Sequence, residues 1–322
     1  MQSGPAANGR AGGGFPHATI SRGRETVYRG AHDRTDRRPA VGEAGVAPHP
    51  PPGSMLRLLT YNVHRCRGLD RRVSPHRIAA VVAQARADVV ALQEIDVNSA
   101  RTGGVDQAGL LARELGMDVW FHPVRRVREG WSGLAVLTRP PARLVRAGIL
   151  PALRMARGLA PRGAVWIAVE IGGREVQVVN THLSLIGRER ARQAQALLGP
   201  DWIGAVSPGE PATLLGDFNA APRSGAYRAI TRRLADAQRV WSRPKATFPA
   251  RMPTLRLDHV FVGAGMRVVA VEVRRCALTR VASDHLPLCV DVEMPPARPL
   301  MEAVRQAHPA APGAAATREA EG

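Results

Sequence analysis

Carboxylate, amide and imidazole side chains recur in this sequence where short apolar runs end. The stretch TLLGDFNA, residues 213–220, places Asp217 and Asn219 directly after an apolar run and a glycine. Residues two apart on an extended backbone point to the same side, so the two side chains face one small space. Such a pair can orient a water molecule and hold an anionic oxygen. The alternative is an Asx turn that closes a strand, which Asp and Asn also favour.

Five further stretches repeat this arrangement. They are LLTYNVH with Asn62 and His64, DVVALQE ending on Glu94, VVNTHL with His182, RLDHVFV with Asp258, and SDHLPL with Asp284 and His285. Any one of these residues alone is more often an ordinary turn residue. Together they are what a site built at one edge of a sheet requires, because such sites collect polar residues where strands meet loops.

The ordered set YNVH, LQE, NTHL, GDFN, LDHVF and SDHLPL resembles the endonuclease/exonuclease/phosphatase superfamily, the fold of pancreatic deoxyribonuclease and neutral sphingomyelinases. The resemblance covers roughly Leu56 to Met294, and its local style looks most like a small bacterial branch described only as metal-dependent hydrolases. It implies an α/β fold, a four-layer α/β sandwich with two mixed β-sheets packed face to face and helices outside.

Hydrolysis of a phosphoester needs a cation, an oriented water and help for the leaving oxygen. Glu94 and Asn62 are the predicted metal ligands, and Asp284 can add a carboxylate. Oxygen ligands of this kind suit Mg²⁺ or Mn²⁺. Asp217 and Asn219 are then expected to position the attacking water and the phosphoryl group.

The resemblance also implies roles for the histidines. It makes His285 the general base, with Asp258 fixing the tautomer of its ring. His182 is expected to hydrogen-bond a phosphoryl oxygen or the leaving group, and the alternative is a structural histidine at a strand end. His64 shares the face of Asn62 and is expected to line the pocket.

Two loop arginines, Arg101 and Arg162, adjoin the motif strands and are the predicted substrate-binding cations. The sequence departs from the superfamily pattern at one place, because Ser132 and Gly133 stand where relatives often carry Gly-Asn. This change predicts a weakened polar contact to the phosphate. His259 is predicted to point away from the site.

Composition sets wider bounds. The formal net charge of +18 permits polyanion binding without showing it, since Lys245 is the only lysine and arginine is spread evenly along the chain. The three cysteines have no CxxC spacing, which indicates neither a disulfide framework nor a zinc site and fits reduced thiols in a cytoplasmic protein.

The chain divides into one domain and two tails. Residues 1–54 are rich in Gly, Pro, Ala and Arg without an apolar period, and we expect a disordered N-terminal extension without a transmembrane segment. Residues 55–295 form the predicted catalytic domain, and residues 296–322 a disordered C-terminal tail. Met55 is an attractive candidate for the true start.

Within the domain, helical and extended patterns alternate. Ser74 and Pro75 predict the start of a helix whose apolar stripe runs to Ala85. Further helices are expected over 107–115, 189–198 and 225–235. A hairpin is expected to join strands 164–171 and 175–180 across a Gly-Gly pair.

The predicted activity is therefore a Mg²⁺- or Mn²⁺-dependent phosphodiesterase acting on nucleic acid, a lipid head group or a small phosphoester, with no stable protein partner. Two alternatives remain open: a DNA or RNA endonuclease of the same fold, and an inactive binding module. An inactive module should lack at least one of the motif residues, whereas all are present.

Overall fold

The computed structural model describes residues 18–22, 25–30, 55–153, 160–240 and 243–294. The strands are β1 (Ala18–Arg22), β2 (Glu25–Gly30), β3 (Met55–Asn62), β4 (Val89–Val97), β5 (Asp118–Val127), β6 (Gly130–Thr138), β7 (Ala142–Ile149), β8 (Gly163–Ile171), β9 (Arg174–His182), β10 (Ala212–Asp217), β11 (Ala235–Asp236), β12 (Asp258–Val262), β13 (Arg267–Val273) and β14 (Leu288–Glu293). The α-helices are α1 (Pro75–Ala85), α2 (Gln107–Leu115), α3 (Gly187–Leu197), α4 (Gly225–Ile230) and α5 (Thr279–Ala282).

The strands form two mixed sheets. The first has the order β1-β2-β5-β6-β4-β3-β14-β13, and the second has the order β11-β12-β10-β9-β8-β7. Each sheet contains one parallel pair, β3 with β4 and β9 with β10, among antiparallel neighbours. The predicted mixed sheets are confirmed.

Three apolar clusters separate four layers. One cluster lies between the sheets and includes Leu58 and Val178. The second joins the first sheet to α1 and α2, and it includes Leu59. The third joins the second sheet to α3 and α4, and it includes Val179. Consecutive residues such as Leu58 and Leu59 serve opposite layers because side chains alternate along a strand. The predicted four-layer sandwich is confirmed.

Local sequence signals explain the helix ends. The Ser74 hydroxyl caps α1 by accepting from the backbone N–H of Arg77 at 3.3 Å. Helix α2 has the predicted bounds and ends at Gly116, whose φ of 60° lies in the left-handed region. Helix α4 ends at Ile230, short of the predicted residue 235, because the chain turns there to pair β11 with β12.

The N-terminal region requires a correction. We expected no regular structure before Met55, but the described part of that region forms β1 and β2, and β2 extends the first sheet by pairing with β5. Tyr28 of β2 stacks on Phe121 with ring centroids 6.3 Å apart. The rest of residues 1–54 and the predicted tail at 296–322 lie outside the described residues. Among the described helices, none has the length and apolarity to cross a bilayer.

A buried amide pair joins the two sheets beside the strand ends. Asn180 of β9 accepts from the Gln93 amide of β4 at 2.8 Å. Its own amide donates at 3.0 Å to the carbonyls of Leu92 and Ala135, both in the first sheet. The Asn180 side chain is not exposed to solvent, so these three hydrogen bonds are the only ones that it makes among the described residues.

Asn180→Ala should therefore lower the free energy of unfolding by about 3 kcal/mol, since it removes three buried hydrogen bonds between the sheets, while the Gln93 amide keeps Thr60 Oγ1 and the Ala91 carbonyl as acceptors. Urea unfolding measures this loss. Gln177→Ala on the same strand is the matched control; it deprives the Trp166 indole of its acceptor and should cost about 1–2 kcal/mol. An Asn180→Ala loss no larger than that of the control would show that the pair does not join the sheets.

Candidate active site

Strand register brings three polar side chains side by side on the second sheet. Asp217 ends β10 and pairs with His182, the last residue of β9, on one side. On the other side Asp217 pairs with Asp258, the first residue of β12. Gly216 permits this close pairing, because a β-carbon there would lie 1.9 Å from the Thr181 carbonyl oxygen. The three motifs thus meet at one sheet edge.

The Asp217 carboxylate is the centre of this group. It is 1% exposed. Its Oδ2 accepts from the Asn62 amide at 2.9 Å and lies 3.4 Å from His182 Nε2 and 3.7 Å from His285 Nε2. Its Oδ1 accepts from the backbone N–H of Asn219 at 2.9 Å. That bond is an Asx turn, so the turn and the site that the sequence offered as alternatives are both present.

His285 lies between two carboxylates. Its Nδ1 is 2.8 Å from Asp258 Oδ2, while its Nε2 faces Asp217. Phe248 covers the ring, with centroids 4.8 Å apart. Burial opposes the charged imidazolium, but Asp258 and Asp217 outweigh it and raise the pKa of His285 to about 10. Burial raises the pKa of Asp217 to about 6. The two groups therefore form an acid and base pair.

His182 has a different environment. Arg162 Nη1 donates to its ring at 3.0 Å, and Asn219 Nδ2 lies 3.1 Å from its Nε2. Burial, together with the charges of Arg162 and His285, holds the pKa of His182 well below its usual range. His182 is consequently neutral, and it is tied to site residues rather than simply closing a strand.

Glu94 reaches the site through a bulge. We expected a strand ending on Glu94, but β4 continues to Val97 and its pairing with β6 shifts register between Gln93 and Ile95. Glu94 is the extra residue and has a φ of 58°. Its Oε1 lies 3.4 Å from the Asn62 amide, which also serves Asp217.

These donors fit a hard divalent cation. The carboxylates of Glu94 and Asp217 converge on the single amide of Asn62. Among the described residues Glu94 forms no ion pair, so its charge is available to a cation. A second grouping consists of Asp217, Asp258 and His285, whose potential ligand atoms lie within 4.8 Å of one another.

Positive φ angles concentrate near these residues. His64 and Arg65 follow β3 with φ angles of 46° and 58°, and Asn219 has a φ of 47°. Non-glycine residues in this region are strained and occur often at functional sites. His64 Nδ1 lies 3.9 Å from Asp284 Oδ1, and Ser283, next to Asp284, donates to the Asn62 carbonyl. The structure thus places His64 and Asp284 beside Asn62.

Arg101 lines the site with part of its guanidinium already engaged. Its Nε and Nη2 each donate at 2.7 Å to the buried Asp96 carboxylate, which occupies one edge of the guanidinium and leaves the Nη1 side without a hydrogen bond among the described residues. Arg162, by contrast, contacts His182 as described. His259 is buried and its Nε2 lies 2.8 Å from the Ala220 carbonyl, which confirms its structural role.

A cavity of about 250 Å³ opens beside Glu94 and His182. The predicted Arg101 and Arg162 line it, together with two arginines that sequence reasoning missed, Arg65 and Arg125. Ser132 and Gly133 also line the cavity, at the position where the motif departs from the superfamily pattern.

Comparisons with known proteins agree with this geometry. The chain is 27% identical over 253 residues to the uncharacterized protein YbhP of Escherichia coli K12, a match that covers 74% of this chain and 96% of YbhP. An endonuclease/exonuclease/phosphatase from Beutenbergia cavernae superposes with a TM-score of 0.60 at 24% identity, covering 75% of this chain and 72% of that one.

Other solved structures share the fold. The mannosyl-6-phosphatase Bt3783 of Bacteroides thetaiotaomicron has a TM-score of 0.59 at 21% identity, covering 74% of this chain and 99% of that one. The human Nocturnin catalytic domain, with bound sulfate, has a TM-score of 0.57 at 21% identity, covering 74% and 93%.

The profile of the Endonuclease/Exonuclease/phosphatase family matches residues 59–285, which includes five of the six motifs in full and the sixth as far as His285. Members of this family are hydrolases that act on phosphoester bonds, and they generally depend on a divalent metal. The confirmed four-layer fold and the meeting of the motif residues at one sheet edge agree with that match. The chain belongs to the endonuclease/exonuclease/phosphatase family.

Proposed function

We propose that this protein is a Mg²⁺- or Mn²⁺-dependent phosphodiesterase. One observation carries the proposal: His182 and His285 both direct Nε2 at the buried Asp217 carboxylate, beside the Glu94 and Asn62 pair. This arrangement supplies a base, an acid and a cation site around one small space, which is what hydrolysis of a phosphoester needs.

Glu94 would hold the cation through its carboxylate and Asn62 through Oδ1, which in this structure accepts from the His64 backbone N–H at 3.1 Å, with Asp284 as a further carboxylate on the same edge. The bound cation would neutralise charge on the phosphoryl oxygens. We favour this side over the grouping of Asp217, Asp258 and His285, because Nδ1 of His285 is already hydrogen-bonded to Asp258.

The resemblance made His285 the base, and we propose a different division of roles. An imidazole with a carboxylate at each ring nitrogen is best satisfied when both nitrogens carry protons. His285 would then donate from Nε2 to a phosphoryl oxygen as an imidazolium. Asp217, held by Asn62 and by the Asn219 backbone N–H, would take the proton of the attacking water, and the leaving oxygen would take a proton from solvent.

His182 and Asn219 complete the binding of the phosphoryl group. The neutral imidazole of His182 and the Asn219 amide lie 3.1 Å apart and both adjoin Asp217. Neutral polar groups can hydrogen-bond a phosphoryl oxygen without competing with the cation for charge. Arg162 would orient the His182 ring through their contact at 3.0 Å.

A diester suits the site because the arginine-lined cavity leaves room beside the reacting phosphorus for a second substituent. No Phe, Tyr or Trp is among the described residues that line this cavity. Stacking of nucleic acid bases, which single-strand binders use, therefore has no platform there. A small diester fits the cavity better than a nucleic acid.

The substrate class can be tested with bis-p-nitrophenyl phosphate, glycerophosphodiesters, p-nitrophenyl phosphate, RNA and plasmid DNA, each assayed with Mg²⁺ and with Mn²⁺. We expect the small diesters to be hydrolysed. Asp217→Asn should lower kcat/KM by about 100- to 10,000-fold, because it removes the proposed base. Turnover of the monoester alone, or an unaffected Asp217→Asn variant, would contradict the proposal.

Removal of divalent metal with EDTA should abolish hydrolysis, and Mg²⁺ or Mn²⁺ should restore it. Glu94→Gln should raise the Mg²⁺ concentration that gives half-maximal rate, so that excess metal partly rescues the variant. Glu170→Gln, which neutralises an exposed carboxylate on β8, is the control and should behave like the wild type. Full activity in excess EDTA would refute the metal requirement.

His285 and Asp258 should act as one unit. His285→Ala should lower kcat/KM by about 100- to 1,000-fold, and adding Asp258→Asn should cost little more. If the fold reduction in kcat/KM of the double variant equals the product of the two single-variant reductions, His285 and Asp258 act separately.

The pH profile separates an acid from a base at His285. An imidazolium is lost as pH rises through its pKa, so wild-type kcat/KM should persist to about pH 10. Asp258→Asn removes a carboxylate that raises this pKa and should move the alkaline limb toward neutral pH. The acid limb does not discriminate, because Asp258 also raises the pKa of Asp217. An alkaline limb that stays at the wild-type pH in the variant would show that His285 is not the acid and that our assignment is wrong.

A further inference from the structure

The cavity beside the proposed catalytic residues carries an excess of positive charge. Four arginines line it against the single carboxylate of Glu94. The residues that line the cavity include parts of β5 and β6 of the first sheet and the ends of β8 and β9 of the second sheet. The excess charge therefore lies between the sheets, directly beside His182.

Three of the four guanidiniums are not neutralised. Asp96 neutralises Arg101. Arg65, Arg125 and Arg162 form no ion pair with a carboxylate among the described residues. The Nε of Arg65 is buried and has no hydrogen-bond acceptor there, although buried donors ordinarily have partners.

The like charges lie close enough to affect one another. Burial lowers the pKa of Arg162; the carboxylates of Asp217, Glu94 and Glu189 raise it in part, and the charge of Arg125 lowers it. Holding such cations together is unfavourable unless an anion is bound between them. The proposed reaction places only one phosphoryl group near Glu94 and His182, and the cavity extends beyond it to Arg125.

We propose that Arg65, Arg125 and Arg162 bind a second phosphate group, carried by a small phosphodiester substrate away from the bond that is hydrolysed. A phosphomonoester, with a charge of about −1.5 to −2 at neutral pH, matches several guanidiniums better than a carboxylate does. The volume of about 250 Å³ suits a phosphate on a sugar or polyol rather than a polymer. This inference rests on the proposed function for its substrate, but its binding test does not need turnover.

The test compares glucose 6-phosphate with glucose 1,6-bisphosphate, two probes that differ by one phosphate, in calorimetric titrations of the full chain in EDTA. The bisphosphate should bind about tenfold or more tightly. Arg125→Gln and, separately, Arg65→Gln should each remove most of that preference. Arg126→Gln is the matched control: it removes the same charge from the neighbouring residue, which is exposed like Arg125 but packs on Trp131 and does not line the cavity.

The control should keep the wild-type preference. Equal binding of the two probes to the wild type would overturn the proposal, as would an Arg126→Gln loss equal to that of Arg125→Gln. A preference for the bisphosphate in a protein that hydrolyses no diester would leave the second phosphate site standing and refute the proposed function. Hydrolysis of diesters by a wild-type protein that binds both probes equally would refute the second phosphate site and leave the proposed function standing.

Discussion

A buried carboxylate determines the arrangement of this site. Asp217 lies at the end of β10 with almost no contact with solvent, and a carboxylate in such a place is costly unless donors surround it. Asn62 of β3 and the Asn219 backbone N–H of the following turn donate to it. The imidazoles of His182, from β9, and His285, from the segment before β14, lie 3.4 and 3.7 Å from it. Because each donor is held by its own strand or turn, the requirement of one carboxylate fixes the relative position of both sheets at this edge.

The architecture supplies that fixed edge. The parallel pairs β3–β4 and β9–β10 bring their carboxyl ends together, and the amide pair of Gln93 and Asn180 joins the sheets directly behind them. The front of the same edge is strained, because Glu94 and Asn219 adopt positive φ angles there. The buried amide pair holds the sheets together, and the residues with positive φ angles lie at the same edge. Backbone strain beside a rigid support is consistent with side chains held for binding rather than for packing.

Much of this could be predicted from the sequence, because it depends on local patterns. Apolar runs ending in Asn, Asp or His located the motif strands, and Ser74 and Gly116 marked helix ends through capping. The bulge at Glu94 could not be predicted, since β4 is buried on both faces and its nearly continuous buried run has no alternation for an inserted residue to interrupt. The partner of Arg101 was hidden because Asp96 appeared to be an ordinary strand residue. The cluster of Arg65, Arg125 and Arg162 could not be predicted, because three separate chain segments bring it together. Arginine is also frequent throughout the sequence, so no single arginine stood out. The strands β1 and β2 were missed because their sequence gives no apolar period, and β2 is ordered by pairing with β5.

The most direct test of this account is a crystal structure of the protein with Mn²⁺ and inorganic phosphate, in which anomalous scattering locates the metal. The account predicts a metal peak bonded to the Glu94 carboxylate, and a phosphate that contacts the metal, His182 and the Nε2 of His285. A metal peak bonded to Asp258 and His285 instead, or a phosphate that contacts neither histidine, would contradict it.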